Sequence, residues 1–143
     1  MTAQERNIGS RWFEEVWNQK RREAIAELMA PTAVLHDGQI DSTGPEGFYP
    51  FFDRIHATFS EIHCEVHDTV AEGNKLCFRW SFRGKHTGSG LGFAPTGKTV
   101  STTGMGFIVV EGGKMAEAWQ NWDMLGLVEQ IQGQRSSATY VSA

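Results

Sequence analysis

Trp119, Asn121 and Asp123 recur at every second position of EAWQNWDML, the stretch from Glu117 to Leu125. The stretch reads as a β-strand, and side chains two apart on a strand point the same way. An indole, an amide and a carboxyl group would then share one face. A carboxyl held against aromatic rings has a raised pKa, because a low-dielectric setting disfavours the anion. Such a group can take a proton from carbon next to a carbonyl, or return one to a developing alkoxide. Asp123 is thus the candidate base, Trp119 the wall that desolvates it and Asn121 a hydrogen-bond donor. A plainer reading stands beside this one. Asp123 precedes MLGL and can cap a last helix, and on periodicity alone the cap weighs more.

The strand before it bears on the same site. If Gly112-Gly113 is a two-residue loop, Val110 faces Met115, Gly106 faces Trp119 and Gly104 faces Asn121. Glycine in a strand leaves space above the backbone, and space beside an indole and an acid is what a small-molecule pocket requires. A three-residue loop would present Met105 and Thr103 instead. Gly104 and Met105 are therefore both candidate lining residues. The alignment of Trp119, Asn121 and Asp123 holds in either register unless a bulge interrupts the strand.

The elements that must position these groups follow from hydrophobic period. Ile8, Trp12, Val16, Ile25, Leu28 and Met29 repeat at helical spacing, with Asn18 dividing them into two helices and Pro31 ending the pattern. AVLHDGQI, Ala33 to Ile40, reads as a short strand and turn. Pro45 and Glu46 open another helix whose stripe is Phe48, Phe52, Ile55 and Phe59; Pro50 should kink it or mark a tighter start. From Glu61 the period changes to two. Gly73-Asn74 closes a hairpin that sets Glu72 opposite Lys75, Val70 opposite Cys77, Asp68 opposite Arg79, His67 opposite Trp80 and Cys64 opposite Arg83. Both faces of that hairpin are partly apolar, so helices should cover one and a second subunit the other. Strands Thr99 to Val110 and Lys114 to about Asp123 follow, then a short helix, LGLVEQIQ. Ser136 to Ala143 is expected to be a mobile tail.

Composition narrows the function classes. A chain of 143 residues is most simply one domain, 1–143. A net charge of -4 argues against nucleic acid, which needs a basic surface. No apolar run is long enough to span a bilayer, so the expectation is no membrane and a cytoplasmic location. Cys64 and Cys77 lie roughly 20 Å apart along the ladder and should stay reduced. His63 and His67 share a strand face roughly 13 Å apart, too far to chelate one ion, so no metal is expected. His67, opposite Trp80, reads as a packed or pocket-wall residue, and His86 in the Gly-rich stretch as solvated. That stretch, Gly84 to Lys98, lacks a following helix and so is no phosphate cradle. Trp17, Phe48 and Phe52 are core first and pocket wall second.

WN at Trp17-Asn18, HDG at His36 to Gly38, GPEGF at Gly44 to Phe48, GKHTGSGLGFAPTGK, and EAWQNWDMLGL followed by Gln130 occur in that order. Together they resemble the SnoaL-like polyketide cyclases, over about residues 12–133. The resemblance implies an α+β fold of the nuclear-transport-factor-2-like kind. There a curved antiparallel sheet wraps around N-terminal helices as a cone and encloses an apolar cavity. It implies ring closure by intramolecular aldol condensation with no cofactor and no metal. It places the acid/base aspartate at Asp123, which turns the balance from cap to pocket acid, with His36 as a second polar group near the cavity. The expected function is cofactor-independent acid/base chemistry on a small hydrophobic carbonyl compound, by a homodimer formed through the sheet. The alternative is a non-catalytic protein of the same fold that binds such a molecule. The expected site is Asp123 and His36 for catalysis, with Trp17, Phe48, Phe52, His67, Trp80, Gly104, Met105, Trp119 and Asn121 for the ligand.

Overall fold

The computed structural model describes residues 1–38 and 40–133, so the expected mobile tail at 136–143 lies outside the described residues. The chain opens with helices α1 (Ala3–Arg6) and α2 (Ile8–Arg11), a π-helical segment (Trp12–Asn18) and α3 (Glu23–Leu28). Strands β1 (Met29–Asp37) and β2 (Ile40–Thr43) lead into helix α4 (Gly44–Thr58). Four strands follow: β3 (Phe59–Glu72), β4 (Lys75–His86), β5 (Thr99–Glu111) and β6 (Lys114–Trp122). Helix α5 (Met124–Gln132) ends the described chain.

The six strands form one sheet in the order β2-β1-β6-β5-β4-β3. Every neighbouring pair is antiparallel except β1 with β6, which run parallel. The curved sheet is open and the helices lie on its concave side, so the expected α+β cone forms. Alternation decides which side is which. Leu76, Phe78, Trp80 and Phe82 of β4 are buried, as are Thr102, Ile108 and Val110 of β5. Trp12, Phe13, Val16 and Trp17 of the π-helical segment are buried in the same core as two adjacent pairs on one helix face. Each large apolar side chain so buried contributes about 1.5–3 kcal/mol. Aromatic edges organise this layer: Phe13 packs on Phe78 at 5.8 Å and on Trp80 at 5.1 Å between ring centres.

The helix break at Asn18 has a physical cause. Its Nδ2 donates to the Cys64 carbonyl at 2.9 Å, and its Oδ1 accepts from Cys64 N–H at 2.6 Å. The side-chain amide thus does the work of a strand neighbour for the edge strand β3, whose outer backbone groups would otherwise be unpaired. α4 runs on through Pro50 rather than restarting there.

The Gly73-Asn74 hairpin has the expected pairs Glu72 with Lys75, Val70 with Cys77 and Asp68 with Arg79. Arg79 Nε donates to the Asp68 carboxylate. One residue further, the register slips: Val66, not His67, pairs with Trp80, and Cys64 pairs with Phe82 rather than Arg83. His67 is therefore an exposed bulge residue, bonded to Ser81 Oγ at 2.8 Å, and not a pocket wall. Both cysteines are free. His86, expected to be solvated, is fully buried; its Nδ1 accepts from Thr96 N–H at 3.2 Å and anchors the Gly-rich loop.

Candidate functional site

The last hairpin holds the main departure from the sequence reading. Gly112-Gly113 is a two-residue loop, with Glu111 opposite Lys114 and Val110 opposite Met115. The next pair is Val109 with Glu117, so Ala116 is an extra residue on β6. One extra residue flips every side chain beyond it. Gly106 accordingly faces Gln120 and Gly104 faces Trp122. Ala118, Gln120 and Trp122 turn to the concave side, while Trp119 is left 40% exposed and Asn121 exposed on the rim.

Asp123 follows the same parity. It is exposed, and its Oδ1 accepts from Gly126 N–H at 2.8 Å as the N-cap of α5. Its carboxylate is spent on a helix end whose first N–H groups lack internal partners. The plainer reading of Asp123 is the one the geometry supports.

A cavity of about 530 Å³ opens between the helices and the concave sheet face. Its aromatic walls include Trp12, Phe13, Trp17, Phe48, Phe51 and Phe78. A recess of about 40 Å³, reaching Trp80, Phe82 and Thr102, shares Phe13, Trp17, Phe51, Ile55, Gln120 and Trp122 with it. Of the residues expected at the ligand, Trp17 and Phe48 line the main cavity, Trp119 and Asn121 border it at the rim, and Trp80 lines the recess. Phe52 does not line either; it is core, packed on Trp17 at 5.8 Å and on His56 at 4.5 Å. Met105 is 59% exposed on the convex face. Gly104 is inward, but the space above it is filled. A Cβ there would lie 2.5 Å from Trp80 Cζ2, and one on Gly106 would lie 2.5 Å from Phe78 Cζ. The glycines let two rings of β4 lie flat against β5.

The acid in this cavity is Asp37, at the end of β1 and among the cavity residues. It alternates inward with Ala33 and Leu35, and pairs with Gln120 across the parallel β1–β6 ladder. Trp122 Nε1 donates to its Oδ1 at 3.1 Å. Burial raises the Asp37 carboxyl above its ordinary value, and the indole hydrogen bond opposes that shift in part. The sequence signal was HDG itself: the aspartate lies beside the histidine singled out there, on the other strand face.

His36 takes the outer face. Its Nδ1 lies 2.8 Å from Asp41 Oδ1 and its Nε2 2.7 Å from Glu117 Oε2. Only the doubly protonated ring donates to both. The Glu117 bond, then the Asp41 bond, raise its pKa. Its ring stacks on Trp119 at 5.1 Å, and Trp119 meets Phe107 edge-on at 5.7 Å. His36 borders the cavity mouth, with its ring nitrogens engaged by carboxylates.

Comparison with known proteins adds a family and a fold. A family model described as SnoaL-like polyketide cyclase matches residues 8–131. No curated protein matches the chain. Among solved structures, one from Jannaschia sp. CCS1, provisionally named a SnoaL-like polyketide cyclase, superposes with a TM-score of 0.81 at 21% identity, covering 92% of this chain and 94% of that one. IdmH from Streptomyces antibioticus, provisionally named a polyketide cyclase, gives 0.76 at 26% identity, covering 90% and 99%. A Catenulispora acidiphila protein described as having a ketosteroid isomerase-like fold gives 0.73 at 17%, covering 92% and 96%.

Proposed function

The chain belongs to the SnoaL-like polyketide cyclase family, and from that premise we propose that it is a cofactor-independent acid/base enzyme acting on a small hydrophobic carbonyl compound, with Asp37 as the base. One observation carries this reading: a carboxyl of raised pKa lies in an aromatic cavity, held by an indole N–H. A carboxylate whose pKa is raised is a stronger base, which suits carbon acids, whose protons are hard to remove. Asp37 takes a proton from carbon next to a carbonyl and leaves an enolate. The enolate carbon attacks a second carbonyl of the same molecule, closing a ring. The new alkoxide then takes the proton back from Asp37. The proton count balances without a further reagent.

The apolar walls supply binding and exclude water, which strengthens each polar contact inside. The whole described chain serves as one domain in this reading. No helix among the described residues is long and apolar enough to cross a membrane, and the cytoplasmic expectation belongs with the proposal. So does the homodimer. The convex face carries Met105, Phe107 and Trp119, each at least 36% exposed, which suits a second copy.

The test is exchange of α-hydrogens of bicyclic aromatic ketones in deuterium oxide, followed by NMR. Wild type should exchange them and Asp37→Asn should not. Exchange at equal rates in both would dismiss Asp37 as the base. Tight binding with no exchange by wild type would make the chain a carrier of such molecules.

A further inference from the structure

We propose that Trp80 and Gln120 form a carbonyl-oxygen subsite in the recess that adjoins the cavity, so that the ligand places an oxygen acceptor there. The inference rests on the reading that a carbonyl compound occupies this cavity.

Two residues that line the recess carry unspent polar groups. Trp80 is 6% exposed, and its Nε1 is buried with no hydrogen-bond partner among the described residues. Buried indole N–H groups nearly always find an acceptor, and leaving one unmade is costly. The ring cannot turn freely to find one. It lies against Gly104, on the side where Cε2 and Cζ2 crowd the glycine, with Phe13 packed at 5.1 Å. Gln120 lines both the recess and the main cavity, and no side-chain hydrogen bond engages it among the described residues. The neighbouring polar groups are already committed. Trp122 Nε1 serves Asp37 at 3.1 Å, and Thr102 Oγ1 donates to the Asp123 carbonyl at 2.8 Å.

The chemistry of the two groups selects the ligand. An indole N–H only donates, so its partner must accept. The amide of Gln120 can donate to the same oxygen. A recess of about 40 Å³ takes an oxygen and the carbon that bears it, but not a ring. The body of the ligand then fills the 530 Å³ beside it. On proton removal at Asp37 the accepting oxygen gains negative charge, and fixed donors favour that charge. The substrate class is accordingly an aromatic or alicyclic ketone whose acidic carbon adjoins the buried carbonyl.

The experiment compares 1-tetralone with tetralin, the parent hydrocarbon, by calorimetry on wild type, Trp80→Phe and Gln120→Leu. The ratio of ketone to hydrocarbon affinity should fall about tenfold in Trp80→Phe, and in the same direction in Gln120→Leu. In wild type, the Trp80 Nε1–H resonance should move downfield with the ketone and stay with the hydrocarbon, a readout that needs no variant to fold. An unchanged ratio, a resonance that ignores the ketone, or no binding of either probe at millimolar concentration would overturn the subsite. These outcomes are separable from the Asp37 test. Neither probe need react, and Asp37→Asn leaves both donors in place.

Discussion

Trp122 Nε1 donates to Asp37 Oδ1 at 3.1 Å across the parallel pairing of β6 with β1, joining residues 85 apart in the chain. The bond holds an acid inside an aromatic cavity and fixes its orientation from the neighbouring strand of the same sheet. It also ties the first strand to the last.

Asp37 should lower stability where it is ionised. Its carboxyl pKa is raised in the folded state, chiefly by burial, so the folded chain holds the proton more tightly than the unfolded chain. Stability then falls as pH rises from about 3.8 through the raised value. Asp37→Asn keeps an acceptor for Trp122 and removes the charge. It should melt higher than wild type at pH 7, with the gap closing near pH 3.5. A variant less stable than wild type at pH 7 would contradict the burial argument.

Asp123→Ala should cost about 1 kcal/mol, the worth of an N-cap, and lower Tm by about 3 °C for a chain of this length. Affinity for 1-tetralone and any α-hydrogen exchange should be unchanged. A lost reaction with intact stability would restore Asp123 to the chemistry.

Gly104→Ala brings a methyl group to within 2.5 Å of Trp80 Cζ2 and 2.8 Å of the Asn121 carbonyl. The indole must move into the recess or the strands must part. A loss of about 1–3 kcal/mol on denaturant unfolding is expected, together with weaker ketone binding. If stability and binding both match wild type, the ring is not held where the structure shows it.

His36 gives the opposite sign of pH dependence from a paired carboxylate. Its folded pKa is raised, first by Glu117 and then by Asp41. The stabilisation is fully present below about pH 6.5, its unfolded value, and is lost as pH rises through the folded value. Between pH 6 and pH 9 the melting temperature of wild type should fall more than that of His36→Gln. Parallel curves would show that the two carboxylate contacts carry no linkage.

Much of the fold was legible because it rests on local rules. Gly73-Asn74 and Gly112-Gly113 announced two-residue hairpins, and the aromatic alternation of Leu76 to Phe82 announced the buried face of β4. Asn18 marked the end of the first helical stretch, although its bonds to Cys64 could be found only in three dimensions. The site was less legible. His67 and His86 both moved from their expected settings, the first through a bulge and the second through burial under a loop.

The sequence by itself determined the family, the pairing of strands next to each loop and the order of the elements apart from β2 (Ile40–Thr43), since each depends on neighbours in the chain. Tertiary structure alone decided which acid enters the cavity. Ala116 is left unpaired where β6 must match β5 on one side and β1 on the other. That single extra residue reverses the faces of the strand beyond it. It turns Gln120 and Trp122 inward and leaves Asp123 to the helix cap, because side chains on a strand have a period of two and cannot absorb an odd insertion.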